Sequence, residues 1–250
     1  MKKLFAILAI AFMVIINPVS EVFGQNETTQ TEQAAEPQKE KGHELMKRYF
    51  IEGGVPWMTP VLICLILGLA IVIEKIISLG LSTVNSKKFL ASVESELSKG
   101  NVEGAKNICK ATRGPVASIC YQGLVRVKEG VDIVEKSLVS YGSVQMGQLE
   151  RGLSWISLFI ALAPMLGFMG TVVGMIEAFD AIAAAGDISP TLVASGIKVA
   201  LLTTVFGLVV AIILQIFYNY IVSRVDSLVN DMEDSSITFM DMILKYNVSK

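Results

Sequence analysis

The chain of 250 residues has a mean hydropathy of +0.57, with 52% hydrophobic and only 18% charged residues. This composition is too apolar for an ordinary soluble domain of that length and predicts an integral membrane protein. The formal net charge of -2 gives no broad basic field, which argues against nucleic acid as a partner.

The amino-terminal 55 residues divide into an export signal and a tether. Residues 1–24 carry Lys2 and Lys3, then an apolar run that breaks at Pro18, which is typical of a secretory signal peptide. Because the sequence ending at Gly24 matches a cleavage site only weakly, an uncleaved signal anchor is the alternative. Residues 25–55 begin with a polar stretch that lacks large apolar residues, so we expect a disordered periplasmic tether.

The first mature transmembrane helix is predicted at residues 56–75, with Trp57 as a headgroup-level anchor and Pro60 in an early turn. Residues 76–152 are predicted to be cytoplasmic, because the chain is hydrophilic and rich in Lys and Arg from Ser82 to Arg151. An exported amino terminus gives the same orientation independently.

The cytoplasmic region is predicted to be helical throughout. Phe89, Leu90, Val93 and Leu97 recur at helical spacing before a basic residue and a glycine at 99–100. Further helices are expected over 102–109 and 116–127, separated by Arg113-Gly114-Pro115, and from about Asp132 straight into the next span.

Two more spans follow. The second span is predicted at residues 153–176 and the third at residues 192–217. A periplasmic turn at residues 177–191 is predicted to connect them. In the turn, Ser189 and Pro190 are predicted to be the N-cap and first residue of the third helix. Residues 218–250 keep apolar residues at helical spacing and are expected to continue that helix into the cytoplasm. The predicted fold is therefore an all-α integral membrane protein with long cytoplasmic helical extensions.

Each of the last two spans carries a narrow stripe of small residues every three or four positions. Such stripes allow close backbone contact between helices, or surround something slim. They consist of Ala163, Gly167, Gly170, Thr171, Gly174 and Ala178 on the second span, and of Gly196, Ala200, Thr203, Thr204, Gly207 and Ala211 on the third.

If these two spans form a hairpin that bends near 187–188, residues equally far from the bend share a depth. Thr171 then lies level with Thr204, and Glu177 lies near Lys198. We put forward an interhelical ion pair between Glu177 and Lys198; the alternative is that both side chains simply reach water. Neither span has Asp, Glu or His near mid-membrane, where the threonine hydroxyls can line an ion path but cannot store a proton.

At these residues the chain resembles the MotA/TolQ/ExbB proton channel family, most closely its ExbB and TolQ branches. The resemblance runs through the segments Leu149-Glu150-Arg151-Gly152-Leu153, Ala163-Pro164-Met165-Leu166-Gly167, Gly170-Thr171-Val172-Val173-Gly174-Met175, Ala178-Phe179, Gly196-Ile197, Ala200-Leu201-Leu202, Thr204 and Gly207-Leu208. ExbB-type relatives often have a glutamate at the position of Val199, so a role that rests on it is not carried over.

The resemblance implies a homopentameric ring whose second and third spans line a central pore, with Thr171 and Thr204 at the family's pore threonines. An ExbD- or TolR-like single-span partner would occupy the pore and supply an aspartate, and TonB or TolA would carry work to the outer membrane. It thus implies a proton-channel and stator subunit of a multi-pass inner-membrane motor. No cofactor or metal is expected.

Other function classes fit the sequence less well. A secondary transporter would usually show internal repeats, which are absent from the three mature spans. An enzyme is not expected, because no nucleophile–base pair, metal-ligand cluster or phosphate-cradling loop occurs. A scaffold without ion flow, sodium in place of protons, and the choice between TonB-type and Tol-type work stay open.

Overall fold

The structure, a computed structural model, describes residues 48–186 and 190–248. All regular structure in these ranges is helical, and three helices are long and apolar enough to cross a membrane. This confirms the predicted all-α fold with three spans for the described residues. The helices are α1 (Val55–Ser82), α2 (Ser86–Ser98), α3 (Val102–Ala111), α4 (Pro115–Val125), α5 (Val131–Glu150), α6 (Leu153–Ala185) and α7 (Pro190–Val248), with a 3-10 turn at Val127–Glu129 between α4 and α5.

The predicted signal segment, the predicted tether up to residue 47, and Ser189 lie outside the described residues. The last part of that tether was wrongly predicted, because residues 48–52 are helical. This segment differs from the polar stretch before it in carrying Tyr49, Phe50 and Ile51, which supply the apolar surface that ordering requires.

Helices α2 to α4 begin and end where short-range signals dictate. The side chains of Asn85 and Asn101 accept hydrogen bonds from Lys88 N and Gly104 N, which caps α2 and α3. Gly114 has φ of 123°, a value that L residues rarely adopt, and Pro115 follows it as the first residue of α4. The apolar face predicted for α2 is confirmed, since Phe89, Leu90, Val93 and Leu97 are all buried.

The junction between α5 and α6 differs from the prediction of one continuous helix. Gly152 has φ of 89° and interrupts the helical path there. Lys75 of α1 reaches this junction and is only 8% exposed. Its Nζ donates a hydrogen bond of 3.4 Å to the carbonyl oxygen of Leu149, in the last turn of α5. The ammonium group thus satisfies a carbonyl that lacks an intrahelical donor and lies favourably in the field of the helix end.

We expect Lys75→Met to lower the midpoint of thermal unfolding in detergent, because it leaves the Leu149 carbonyl buried without its donor. Loss of such a hydrogen bond costs about 1–3 kcal/mol. The matched control is Lys87→Met, which removes an exposed lysine from α2. Equal midpoints for the two variants would show that Lys75 does not stabilise the junction.

The α6–α7 hairpin is longer than predicted. Helix α6 continues to Ala185, so residues 177–185 are helical and do not belong to a turn. The three alanines at 183–185 favour helix, and Gly186, with φ of 70°, ends it. Helix α7 starts at Pro190 as predicted and runs unbroken for 59 residues, which confirms that the tail continues the third helix.

The distal half of α7 packs against the smaller helices. Val225, Leu228, Met232 and Phe239 are buried there, and the ring of Phe239 lies against Gly123 of α4. The three cysteines, Cys64, Cys109 and Cys120, are free and buried. Burial raises the pKa of the Cys109 thiol to about 12 and also raises the pKa of Cys120, so both thiols are protonated at neutral pH.

Candidate functional site

The two stripes of small residues form the seam between α6 and α7. A Cβ placed on Gly167 would lie 2.8 Å from the carbonyl oxygen of Thr203, and one on Gly207 would lie 2.6 Å from the carbonyl oxygen of Ala163. Farther along the seam, Gly174 faces Ala200 and Gly196 faces Ala178, while Gly170 faces the side chain of Thr203. The backbones therefore approach too closely for larger side chains at these positions, as the stripes predicted.

Thr171 and Thr204 meet across this seam, as the hairpin register predicted. Their Oγ1 atoms are in direct hydrogen-bond contact, and both side chains are half-buried. Thr203, which the sequence grouped with them, is buried and donates to Ala200 O of its own helix at 2.8 Å. Thr203 therefore lies within the seam, and Thr171 and Thr204 lie at its edge.

The two edge hydroxyls also contact backbone carbonyls of the opposite helix. Thr171 Oγ1 lies 3.1 Å from Ala200 O of α7, and Thr204 Oγ1 lies 3.4 Å from Gly167 O of α6. Each hydroxyl has a single proton, so the chain can run from Thr171 through Thr204 to Gly167 O, or in reverse to Ala200 O. The pair therefore forms a short hydrogen-bond relay whose direction can invert.

Helix α1 and the segment before it cover one side of the hairpin. Val199 of α7 lies beside Gly54, Leu214 lies beside Gly68, and the rings of Phe206 and Phe50 make an edge contact at 6.2 Å between centroids. At 100° per residue, Thr204 points about 140° away from Val199 and about 160° away from Phe206. The threonine pair therefore lies on the side that α1 does not cover.

Apolar side chains surround the threonine pair on that uncovered side. Phe168 of α6 is 65% exposed and Leu201 of α7 is 55% exposed. Each lies three residues before a threonine of the pair and hence about 60° from it around its helix. The hydroxyls are thus a small polar site in an apolar surface.

The pair lies nearer one end of α1 than its middle. Because α1 and α7 run parallel and Val199 lies beside Gly54, Thr204 is level with about Thr59, in the second turn of α1. The sequence placed the threonines near mid-membrane, which is the middle of the hairpin arms. The difference arises because α6 and α7 each extend about ten residues, or about 15 Å, past the start of α1.

Lys198 has a different partner from the one put forward from the sequence. Its Nζ lies 3.1 Å from Oε2 of Glu52, and Glu177 forms no ion pair with it among the described residues. Glu177 and Lys198 do lie at similar depth, because their neighbours Ala178 and Gly196 pack against each other. Sequence reasoning missed Glu52 because it assigned that residue to the tether. The aromatic pair Tyr49-Phe50 just before the first span was the available signal.

Known proteins resemble the part of the chain that contains the threonine pair. Residues 111–234 match the MotA/TolQ/ExbB proton channel family. A protein of Methanothermobacter thermautotrophicus described as a homolog of biopolymer transport protein ExbB is 34% identical over 153 residues, covering 61% of this chain and 54% of the relative. Biopolymer transport protein exbB1 of Vibrio cholerae is 42% identical over 69 residues, covering 27% of this chain and 30% of the relative.

A Tol-branch relative also matches. Tol-Pal system protein TolQ of Haemophilus influenzae is 32% identical over 87 residues, which cover 35% of this chain and 38% of the relative. The chain thus spans about half the length of the Methanothermobacter relative and about a third of the other two.

Proposed function

We propose that this chain, which matches the MotA/TolQ/ExbB proton channel family over residues 111–234, is the channel and stator subunit of a multi-pass bacterial inner-membrane motor driven by the proton-motive force. In this proposal five copies form a ring around an ExbD- or TolR-like partner with a single span. The assembly would drive TonB- or TolA-dependent work at the outer membrane, either import of bound substrates or envelope maintenance.

The observation that carries the proposal is the contact between the hydroxyls of Thr171 and Thr204. A hydroxyl pair that can reverse its hydrogen-bond direction can accept a proton at one side and release one at the other. Its position at the edge of the seam, on the side that α1 leaves uncovered, makes it available to a pore. Ala200 O and Gly167 O orient the two hydroxyls from the backbone.

The relay needs a carboxylate from elsewhere. No Asp or Glu occurs at residues 153–176 or 192–217, and hydroxyls do not store a proton near neutral pH. A partner helix with one aspartate would supply the titrating group. The apolar surface around the threonines, which includes Phe168 and Leu201, suits contact with such a helix.

The proposed orientation in the membrane follows from the distribution of Lys and Arg along the chain. The basic region at 76–152 and the tail at 218–250 would be cytoplasmic, and the tether would be periplasmic. Lys75 and the junction at Gly152 would then lie near the cytoplasmic surface, and the α6–α7 hairpin would extend to the periplasmic side. Ions would enter the threonine relay from that side.

The test is reconstitution of the chain into liposomes with and without an ExbD/TolR-like partner from the same organism. Internal pH is followed with an enclosed dye after a potential is imposed. We expect proton entry only when the partner is present. Equal entry without the partner, or none with an assembled complex, would contradict the proposal. If sodium rather than protons enters the same vesicles, sodium is the ion that drives the motor.

A further inference from the structure

Lys198 stands out because it is the only ionisable side chain between Leu192 and Phe217. It lies on the same helix as Thr204, six residues and therefore about 9 Å nearer the amino-terminal end of α7. In the proposed orientation that end faces the periplasm. An ion moving toward the threonine pair from that side would pass the depth of this lysine.

The carboxylate of Glu52 lies beside Lys198. The Nζ–Oε2 distance is 3.1 Å, and Oε2 is buried without a hydrogen-bond donor in favourable geometry among the described residues. The contact is therefore one of charge with charge rather than a directed hydrogen bond. On its other side, Oε1 of Glu52 lies 3.7 Å from Nε of Arg48, so this single carboxylate lies between two cations.

Packing holds Glu52 in this position. On one side of it, Phe50 contacts the ring of Phe206, and on the other, Gly54 lies beside Val199. Both contacts are with α7, so the segment 48–54 is fixed along the helix that carries Lys198. The side chain of Glu52 is 32% exposed and that of Lys198 is 57% exposed, which leaves the pair less screened than a fully solvated one.

We infer that Glu52 offsets part of the positive charge of Lys198 and Arg48 and so weakens the repulsion of cations that approach the threonine pair. This inference rests on the proposed function. A unit positive charge at about 12–15 Å, in the effective dielectric of a protein surface, lowers the local concentration of a monovalent cation about fivefold to tenfold. Glu52 is thus a positioning and charge-balancing residue, and it does not itself contact the moving ion.

The test compares proton uptake by the reconstituted complex with Glu52→Gln, Lys198→Met and the double variant. Glu52→Gln should slow uptake about fivefold to tenfold at low salt, and 0.5 M salt should reduce this effect because it screens the lysine. Lys198→Met alone should speed uptake, and the double variant should take up protons at about the wild-type rate, because the two changes together leave the net charge beside the path unchanged. The control is Glu103→Gln, which breaks the 2.7 Å pair with Lys106 on a distant helix and should not change uptake.

Two outcomes would overturn the inference. A double variant as slow as Glu52→Gln would show that Glu52 does not act by balancing charge, and a deficit unchanged by salt would indicate a structural role. If Glu52→Gln does not assemble, the charge-swapped double variant Glu52→Lys with Lys198→Glu is measured in its place. Its uptake should be close to that of the wild type if the two residues act by balancing charge. Failure of the wild-type complex to transport protons would instead contradict the proposed function.

Discussion

Replacing Thr171 and Thr204 with valine should slow proton uptake by the reconstituted complex about tenfold to a hundredfold for each single change, and more for both. Valine keeps the volume of threonine but removes the hydroxyl. A proton on the path would then lose one hydrogen bond to a charged group, which is worth about 1.5–3 kcal/mol. The seam should stay packed, because the small residues that form it are unchanged.

Serine at the same two positions is the rescue for that experiment, since it restores a hydroxyl. Thr59→Val is the matched control, because Thr59 lies on α1 and donates to Val55 O of its own helix. Complex abundance and subunit stoichiometry are measured in parallel. Uptake at the wild-type rate by the double valine variant would show that the hydroxyl pair is not on the ion path, and would favour a scaffold.

The threonine contact could be predicted because its determinants are local and repetitive. Two stripes with a spacing of three or four residues define which faces meet, and equal arms from one bend define the register. Thr171 and Thr204 therefore met as expected. The end of α6 was predicted less well. The predicted end was placed where the apolar span reaches the thickness of a membrane and the first acidic residue, Glu177, follows. The chain instead remains helical through its alanines to Ala185.

The contact between Glu52 and Lys198 could not be predicted in the same way. The two residues are far apart in sequence, and the helical register of the hairpin does not include the segment before α1. The interruption at Gly152 was missed for a related reason, since a glycine within an apolar pattern is compatible with a continuous helix. Its φ of 89° depends on the direction in which α5 leaves the bundle, which only tertiary packing determines.

Close contact of the two backbones at the seam makes Gly207→Ala the substitution with the largest expected effect on assembly. The added Cβ would lie 2.6 Å from the carbonyl oxygen of Ala163 and 3.2 Å from the Cα of Gly167. Because both neighbours are backbone atoms, neither can move away without separating the helices. We expect a loss of about 1–3 kcal/mol from overpacking, partly offset by about 1 kcal/mol from the better helix propensity of alanine.

A second glycine tests whether the loss of stability comes from the position of Gly207 rather than from replacing any glycine with alanine. Gly147→Ala makes the same change within α5, where a Cβ would meet nothing within 4 Å, so it should be neutral or slightly stabilising. Thermal unfolding in detergent and proton uptake are measured for both variants. Gly207→Ala should lower the unfolding midpoint and also slow uptake, because moving α7 away from α6 separates the hydroxyls of Thr171 and Thr204. A lower midpoint with normal uptake would mean that the ion path does not depend on the seam.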